Sequence, residues 1–76
     1  MVAKAFILVE TSIGKNKEVV ATLNRIDCVK SVDTVTGPYD IIAVVEAGTL
    51  NEIGDTITTK IHAVNGISRT VTCLVV

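Results

Sequence analysis

A chain of 76 residues has room for one domain, and a domain of that size buries only about 60% of the surface its unfolded form exposes. Seven Lys and Arg against eight Asp and Glu give a formal charge of −1, and no basic cluster in the sequence exceeds Lys15 and Lys17, so the concentrated basic face that nucleic-acid binding requires is not indicated. Apolar residues make up 49% of the chain and mean hydropathy is +0.56, yet the longest apolar runs, Ala5–Val9 and Ile41–Val45, fall far short of the ~20 residues of a membrane-spanning helix.

Val2–Glu10 reads as a strand whose two faces carry Ala3, Ala5, Ile7, Val9 and Lys4, Phe6, Leu8, Glu10. Both faces are substantially apolar, so both are expected to be covered. The apolar run behind Lys4 has the outline of a signal peptide but stops at Glu10 with no small-residue cleavage site after it. With no export signal and only two cysteines, Cys28 and Cys73, the protein is expected to be cytoplasmic and reduced. Thr11–Gly14 is a turn, and Lys15–Ile26 then takes helical spacing, with Val19, Leu23 and Ile26 on one stripe and Val20 beside it.

Asp27 ends this helix, and Cys28–Thr36 forms a second strand rich in Val and Thr. Gly37-Pro38 punctuates it, and Asp40–Ala47 is a third strand with Ile-Ile-Ala-Val-Val at its centre. Thr49-Leu50-Asn51-Glu52 fits a capping box and opens a second helix, whose stripe Leu50, Ile53, Ile57, Ile61 runs to about His62. Gly54 costs that helix roughly 1 kcal/mol relative to Ala, which suggests close packing on the sheet. Asn65-Gly66 is a turn, and Ile67–Val76 closes the chain as a fourth strand.

The two halves echo each other: Leu23-x-x-Ile26-x-x-Val29 and Ile61-x-x-Val64-x-x-Ile67 each lead from a helix into a strand. Two β-α-β halves joined by a central hairpin predict an α+β, ferredoxin-like β-α-β-β-α-β domain over residues 1–76. Right-handed crossovers place both helices on one face of a four-stranded antiparallel sheet. The opposite face is left bare, although strands one and three are apolar on that side too. Chains this short usually lean on disulfides, a metal or oligomerisation. The first two are not indicated, because no second cysteine pair exists and His62 is the sole histidine. A dimer with sheets packed face to face is therefore expected, with further assembly open to it.

Gly37-Pro38-Tyr39-Asp40 is the most informative tetrapeptide. It suits an ordinary hairpin turn, but Asp40 stands directly before an apolar strand, where a carboxylate is costly unless paired. Tyr39 adds a hydroxyl beside it, and a Gly-containing loop exposes backbone donors and acceptors at close range. Together these groups suit a zwitterionic ligand. Ser68, Thr70 and Thr72 share one face of the last strand and offer uncharged hydrogen-bonding groups, although Thr is also an ordinary edge-strand residue. His62 reads as a helix-end or surface residue, Cys28 and Cys73 as small buried hydrophobes, and Arg69 as an ion-pair or interface residue. Strands two and four form opposite edges, too far apart for an intrachain disulfide. With no Ser-His-Asp or Cys-His set, no Gly-rich phosphate loop and no paired carboxylates in a cleft, no catalytic, metal or cofactor residue is assigned.

Val35-Thr36-Gly37-Pro38-Tyr39-Asp40-Ile41-Ile42, the helix exit before Ile67, and Ser68-Arg69-Thr70-Val71-Thr72 resemble the effector-binding (RAM) domain of Lrp/AsnC transcription regulators over nearly the whole chain. The resemblance implies dimers joined through their sheets, assembled into octamers or similar rings, with amino-acid effectors bound between dimers near the hairpin loop. It points to Gly37, Pro38, Tyr39 and Asp40, and less directly to Thr70 and Thr72, as ligand-binding residues. Regulators of that family carry an N-terminal helix-turn-helix, whereas this sequence starts at the first strand and so resembles the stand-alone form. Such a protein is expected to sense an amino acid or to join a full-length regulator in mixed assemblies, without binding DNA or membranes itself. Two rival readings remain: a small dimeric α/β-barrel enzyme, which needs a polar or His-lined cavity, and an ACT-type amino-acid domain, which pairs its sheets differently.

Overall fold

Alternation of β-branched and small residues builds the first strand, and the rest of the sheet is organised around it. The computed structural model describes residues 2–76. Its elements are β1 (Ala3–Thr11), α1 (Asn16–Leu23), β2 (Val29–Thr34), β3 (Ile41–Ala47), α2 (Leu50–Thr56) and β4 (Ile67–Leu74). The four strands lie in the order β2-β3-β1-β4, all antiparallel. This is the expected ferredoxin-like arrangement, with β1 and β3 central and β2 and β4 at the edges.

One face of the sheet makes the core. Ala5, Ile7 and Val9 of β1 and Ile41, Ala43 and Val45 of β3 are completely buried. Val19 and Leu23 of α1, together with Ile53, Ile61 and Val64, close over them. Burying a Val, Leu or Ile side chain contributes about 1.5–3 kcal/mol each. Both helices supply that apolar cover to the same face.

Register fixes the other face. Phe6 pairs with Val44 and Cys73, Leu8 with Ile42 and Val71, and directly opposed residues of antiparallel strands share a face. The uncovered side of the sheet therefore carries Phe6, Leu8, Ile42, Val44, Val71 and Cys73. Lys4 and Glu46 face each other at one end of it, Glu10 and Arg69 at the other. Phe6 is 38% exposed and Val71 36%.

Several local expectations are corrected. α1 is shorter than the apolar stripe suggested, because after Leu23 the chain tightens into turns in which the Ile26 amide donates to the Leu23 carbonyl at 3.1 Å. β2 begins one residue late and stops two early, β3 begins one residue late at Ile41, and β4 stops two residues early at Leu74. α2 passes into a π-helical turn at Ile57–Ile61, which changes the angular step along the stripe. Ile53 and Ile61 are buried, whereas Leu50 is 58% exposed. The capping box is offset: the Thr49 hydroxyl accepts from the Glu52 amide at 3.2 Å, but Glu52 Oε2 accepts from the Gly48 amide rather than that of Thr49, at 3.3 Å.

Cys73 is exposed, because its strand position faces the uncovered side of the sheet. Cys28 is half-buried, with Sγ accepting from the Thr56 hydroxyl at 3.6 Å. Gly54 packs on nothing: a Cβ there would meet no atom within 4 Å. Gly66 is the glycine the fold requires. Its φ is +101°, and a Cβ would sit 2.9 Å from Lys15 Cβ and 3.1 Å from Val19 Cγ2, so α1 rests directly on this turn.

Opposite outcomes are expected at these two glycines. Gly54→Ala should raise stability by about 0.5–1 kcal/mol through helix propensity alone. Gly66→Ala should lower it by about 1–3 kcal/mol, the range for a residue forced into a sparsely populated backbone region. Chemical denaturation of the two variants beside the parent chain checks both signs.

Candidate functional site

The hairpin between β2 and β3 lies at the end of the sheet where β1 finishes and β4 begins. Gly37 takes φ +130°, a conformation glycine adopts readily, and this turns the chain back toward β3. The loop is then fastened to the sheet by backbone bonds. The Asp40 amide donates to the Val9 carbonyl at 2.9 Å, and the Val35 amide donates to the Asp40 carbonyl at 2.9 Å.

The Asp40 carboxylate, expected to need a partner, finds one within the chain. Its Oδ2 accepts from the Thr11 amide at 2.9 Å, and the Thr11 hydroxyl lies 3.2 Å from the same oxygen. The Thr11 hydroxyl also contacts the side-chain amide of Asn16, at Oδ1. All three residues are half-buried. These hydrogen bonds occupy Oδ2 alone, so the carboxylate retains Oδ1 for another donor.

Tyr39 turns the other way. Its hydroxyl accepts from Arg69 Nη2 at 3.2 Å, and the guanidinium carbon lies 5.7 Å from the ring centroid. Arg69 Nε also lies 3.9 Å from Glu10 Oε2. An exposed ion pair of this kind is worth at most about 1 kcal/mol, but it ties the hairpin to β4 across the end of β1. Arg69 is therefore the ion-pair residue that its position opposite the threonines suggested.

The threonines occupy separate ground. Thr70 and Thr72 pair with Val9 and Ile7 and so lie on the helix-facing side of β4. Ser68 leaves their series: pairing passes from Glu10–Arg69 to Thr11–Ile67, so Ser68 sits in a β-bulge, where its hydroxyl donates to the Glu10 carbonyl at 3.0 Å. Thr70 Oγ1 is 3.3 Å from Nε2 of the exposed His62, beside a depression of about 350 Å³ formed with Ile67, Ser68 and Arg69. Thr72 lies further along, in an open, largely apolar groove of about 300 Å³ between α2 and β4 that Leu50, Ile53, Gly54, Ile57 and Leu74 also line.

Within one chain, then, the hairpin residues part: Asp40 meets Thr11, Tyr39 meets Arg69, which borders the same depression as Thr70, and Thr72 lines a separate groove. Sequence reading missed Thr11 and Asn16. The one available signal was that Asn16 stands at the start of a helix, where Asn commonly caps; its side chain instead reaches Thr11, and α1 has no side-chain cap. A further groove of about 430 Å³ opens between α1 and β2, lined by Asn16, Lys17, Val20, Ala21 and Thr34. Among the described residues no three His, Cys, Asp or Glu side chains gather as metal ligands, and no helix is long and apolar enough to cross a membrane.

Comparison with known proteins agrees with this architecture. The family model described as the Lrp/AsnC ligand binding domain matches residues 4–76. No match is found among curated proteins. Among solved structures, the chain is similar to FFRP-DM1, with 38% identity, a TM-score of 0.93 and coverage of 97% of this chain and 99% of that one. It is similar also to the hypothetical protein PHS023 from Pyrococcus horikoshii, at 39% identity, TM-score 0.92 and coverage of 100% and 90%. The fold recurs in the Neisseria meningitidis transcriptional regulator NMB0573, solved as an L-Met complex. There identity is 18%, the TM-score 0.87, and the match covers 97% of this chain but 49% of the regulator. The chain belongs to the Lrp/AsnC ligand-binding domain family, a family of regulatory ligand-binding domains and not of enzymes.

Proposed function

We propose that this chain is a self-associating regulatory domain that binds an amino acid. The observation that carries the proposal is the uncovered sheet face, with Phe6, Leu8, Ile42, Val44, Val71 and Cys73 at its centre and Lys4, Glu46, Glu10 and Arg69 at its ends. An apolar centre within a charged rim is the anatomy of a protein interface. A standard interface buries ~1,600 Å² in all, and at ~25 cal/mol per Å² of apolar area the gross gain is large before association costs. Two copies stacked sheet on sheet would cover this face in each, with further assembly of such dimers into an octamer or similar ring.

The ligand is proposed to sit where copies meet, near Gly37, Pro38, Tyr39 and Asp40. Asp40 Oδ1 would accept from the ligand ammonium, and loop amides would donate to its carboxylate. The L-Met complex of a regulator with this fold supports an amino acid as the ligand class. Thr72 would join such a site only from another copy, because it lies across β1 from the hairpin, whereas Thr70 adjoins Arg69, the partner of Tyr39 in the same chain. A full-length regulator of the family is a fitting partner, since it could use the same sheet face. With seven basic residues against eight acidic ones, DNA contact would fall to that partner.

Three outcomes test this reading. Leu8→Asp, which sets a charge in the middle of the apolar face, should convert the assembly to monomers by light scattering, because an unpaired charge in an apolar seam costs several kcal/mol. In a thermal-shift screen of the twenty amino acids, one chemical group of them should raise the melting temperature; ligand at 100 Kd adds about 2.7 kcal/mol. Asp40→Ala should weaken that binding by about 1.5–3 kcal/mol, the contribution of a hydrogen bond to a charged group. Equal response to all twenty, or binding untouched by Asp40→Ala, would remove the proposed site.

A further inference from the structure

The contacts around Thr11 contain a proton-counting constraint. A threonine hydroxyl has one hydrogen to donate and two lone pairs to accept with. Thr11 Oγ1 stands within hydrogen-bonding distance of two oxygens, Asn16 Oδ1 and Asp40 Oδ2, and it can give its proton to only one of them. The unserved contact would set two oxygens together with no hydrogen between them. Asp40 is a carboxylate and can only accept. Asn16 has an alternative: a half-turn of its planar amide puts Nδ2 where Oδ1 stands, in the same volume.

We propose that Asn16 donates through Nδ2 to Thr11 Oγ1, and that Thr11 in turn donates to Asp40 Oδ2, making Asn16 and Thr11 positioning residues for the carboxylate of the hairpin loop. The chain of bonds then runs one way, from the first residue of α1 through the last residue of β1 to Asp40. With the Thr11 amide, it gives Oδ2 two donors. The carboxylate is held by one oxygen and presents Oδ1. Carboxylate groups with donors on one oxygen are fixed in rotation as well as in place, which is the preorganisation that ligand recognition favours. Asn16 also lines the groove between α1 and β2.

That Asp40 meets a ligand rests on the function proposed above, whereas the direction of the chain does not, and the two are tested separately. In the ligand-free protein, hydrogen exchange of the Asn16 side-chain amide is followed by NMR. One of its two protons should be protected, and should stay so in Thr11→Ser but lose protection in Thr11→Val, which is isosteric and suited to a strand. Equal, solvent-like exchange of both protons in the parent chain would overturn the proposal. Affinity for whichever amino acid the thermal-shift screen selects is then measured by calorimetry. Thr11→Val should weaken it about tenfold, the scale of one lost hydrogen bond to a charged group, and Thr11→Ser should restore it. Unchanged affinity in Thr11→Val with Asp40→Ala still impaired would overturn the positioning role alone. Unchanged affinity in both would overturn the Asp40 site itself.

Discussion

Everything in this molecule depends on an asymmetry of cover: the two central strands are apolar on both faces, and the fold has helices for only one. β1 alternates Ala5, Ile7, Val9 with Phe6, Leu8, and β3 alternates Ile41, Ala43, Val45 with Ile42, Val44. The first set in each strand disappears under α1 and α2. The second has no element of the same chain above it. A domain with so little interior cannot rearrange to hide both, because a shift of register by one residue would only exchange the two faces. Cover borrowed from a second copy is the proposed way out.

This asymmetry also places the candidate site. The hairpin after β2 is held at one end of the sheet by its backbone bonds to Val9 and by the Thr11–Asp40 contacts on one side, and by Tyr39 and Arg69 on the other. The first group looks toward α1, the second toward the rim of the uncovered face. This loop, gripped from both sides at the border of the uncovered face, is where the proposed ligand would sit. The same loop carries little apolar area of its own, so its geometry rests on hydrogen bonds rather than on packing. Each of those bonds contributes about 0.5–1.5 kcal/mol, or about 1.5–3 kcal/mol where it goes to the Asp40 carboxylate.

The strand faces were legible because alternation has a period of two and needs no knowledge of distant residues. From it followed the sheet, the position of the helices on one side and the bare second face. Element ends were less so: Cys28, Thr36 and Asp40 adjoin strand-like runs, yet they lie just outside the strands, where the chain turns. The stripe failed at Leu50, the first residue of α2, which sits with Gly48 and Thr49 at the exposed end of the helix, whereas Ile53 and Ile61 are buried as the spacing predicts. Gly54 looked like a close contact because helix glycines have a cost, but the structure leaves open space there. Thr11 and Asn16 were invisible for a different reason. Their importance comes from Asp40, 29 residues from Thr11 along the chain, and no local pattern marks such a bond. In the same way, grouping Thr70 and Thr72 with the hairpin rested on resemblance; in one chain Thr70 borders the depression of Arg69, the partner of Tyr39, and Thr72 lines another groove.

The central claim is that a second copy covers the Phe6–Leu8–Val44–Val71 face. Sedimentation equilibrium of the unmodified chain at micromolar concentration tests it most directly. The account predicts a mass of at least two chains of 8.0 kDa, with no significant population of the single chain. A stable 8.0 kDa species across that range would contradict it, since the second apolar face would then stand in water unaided.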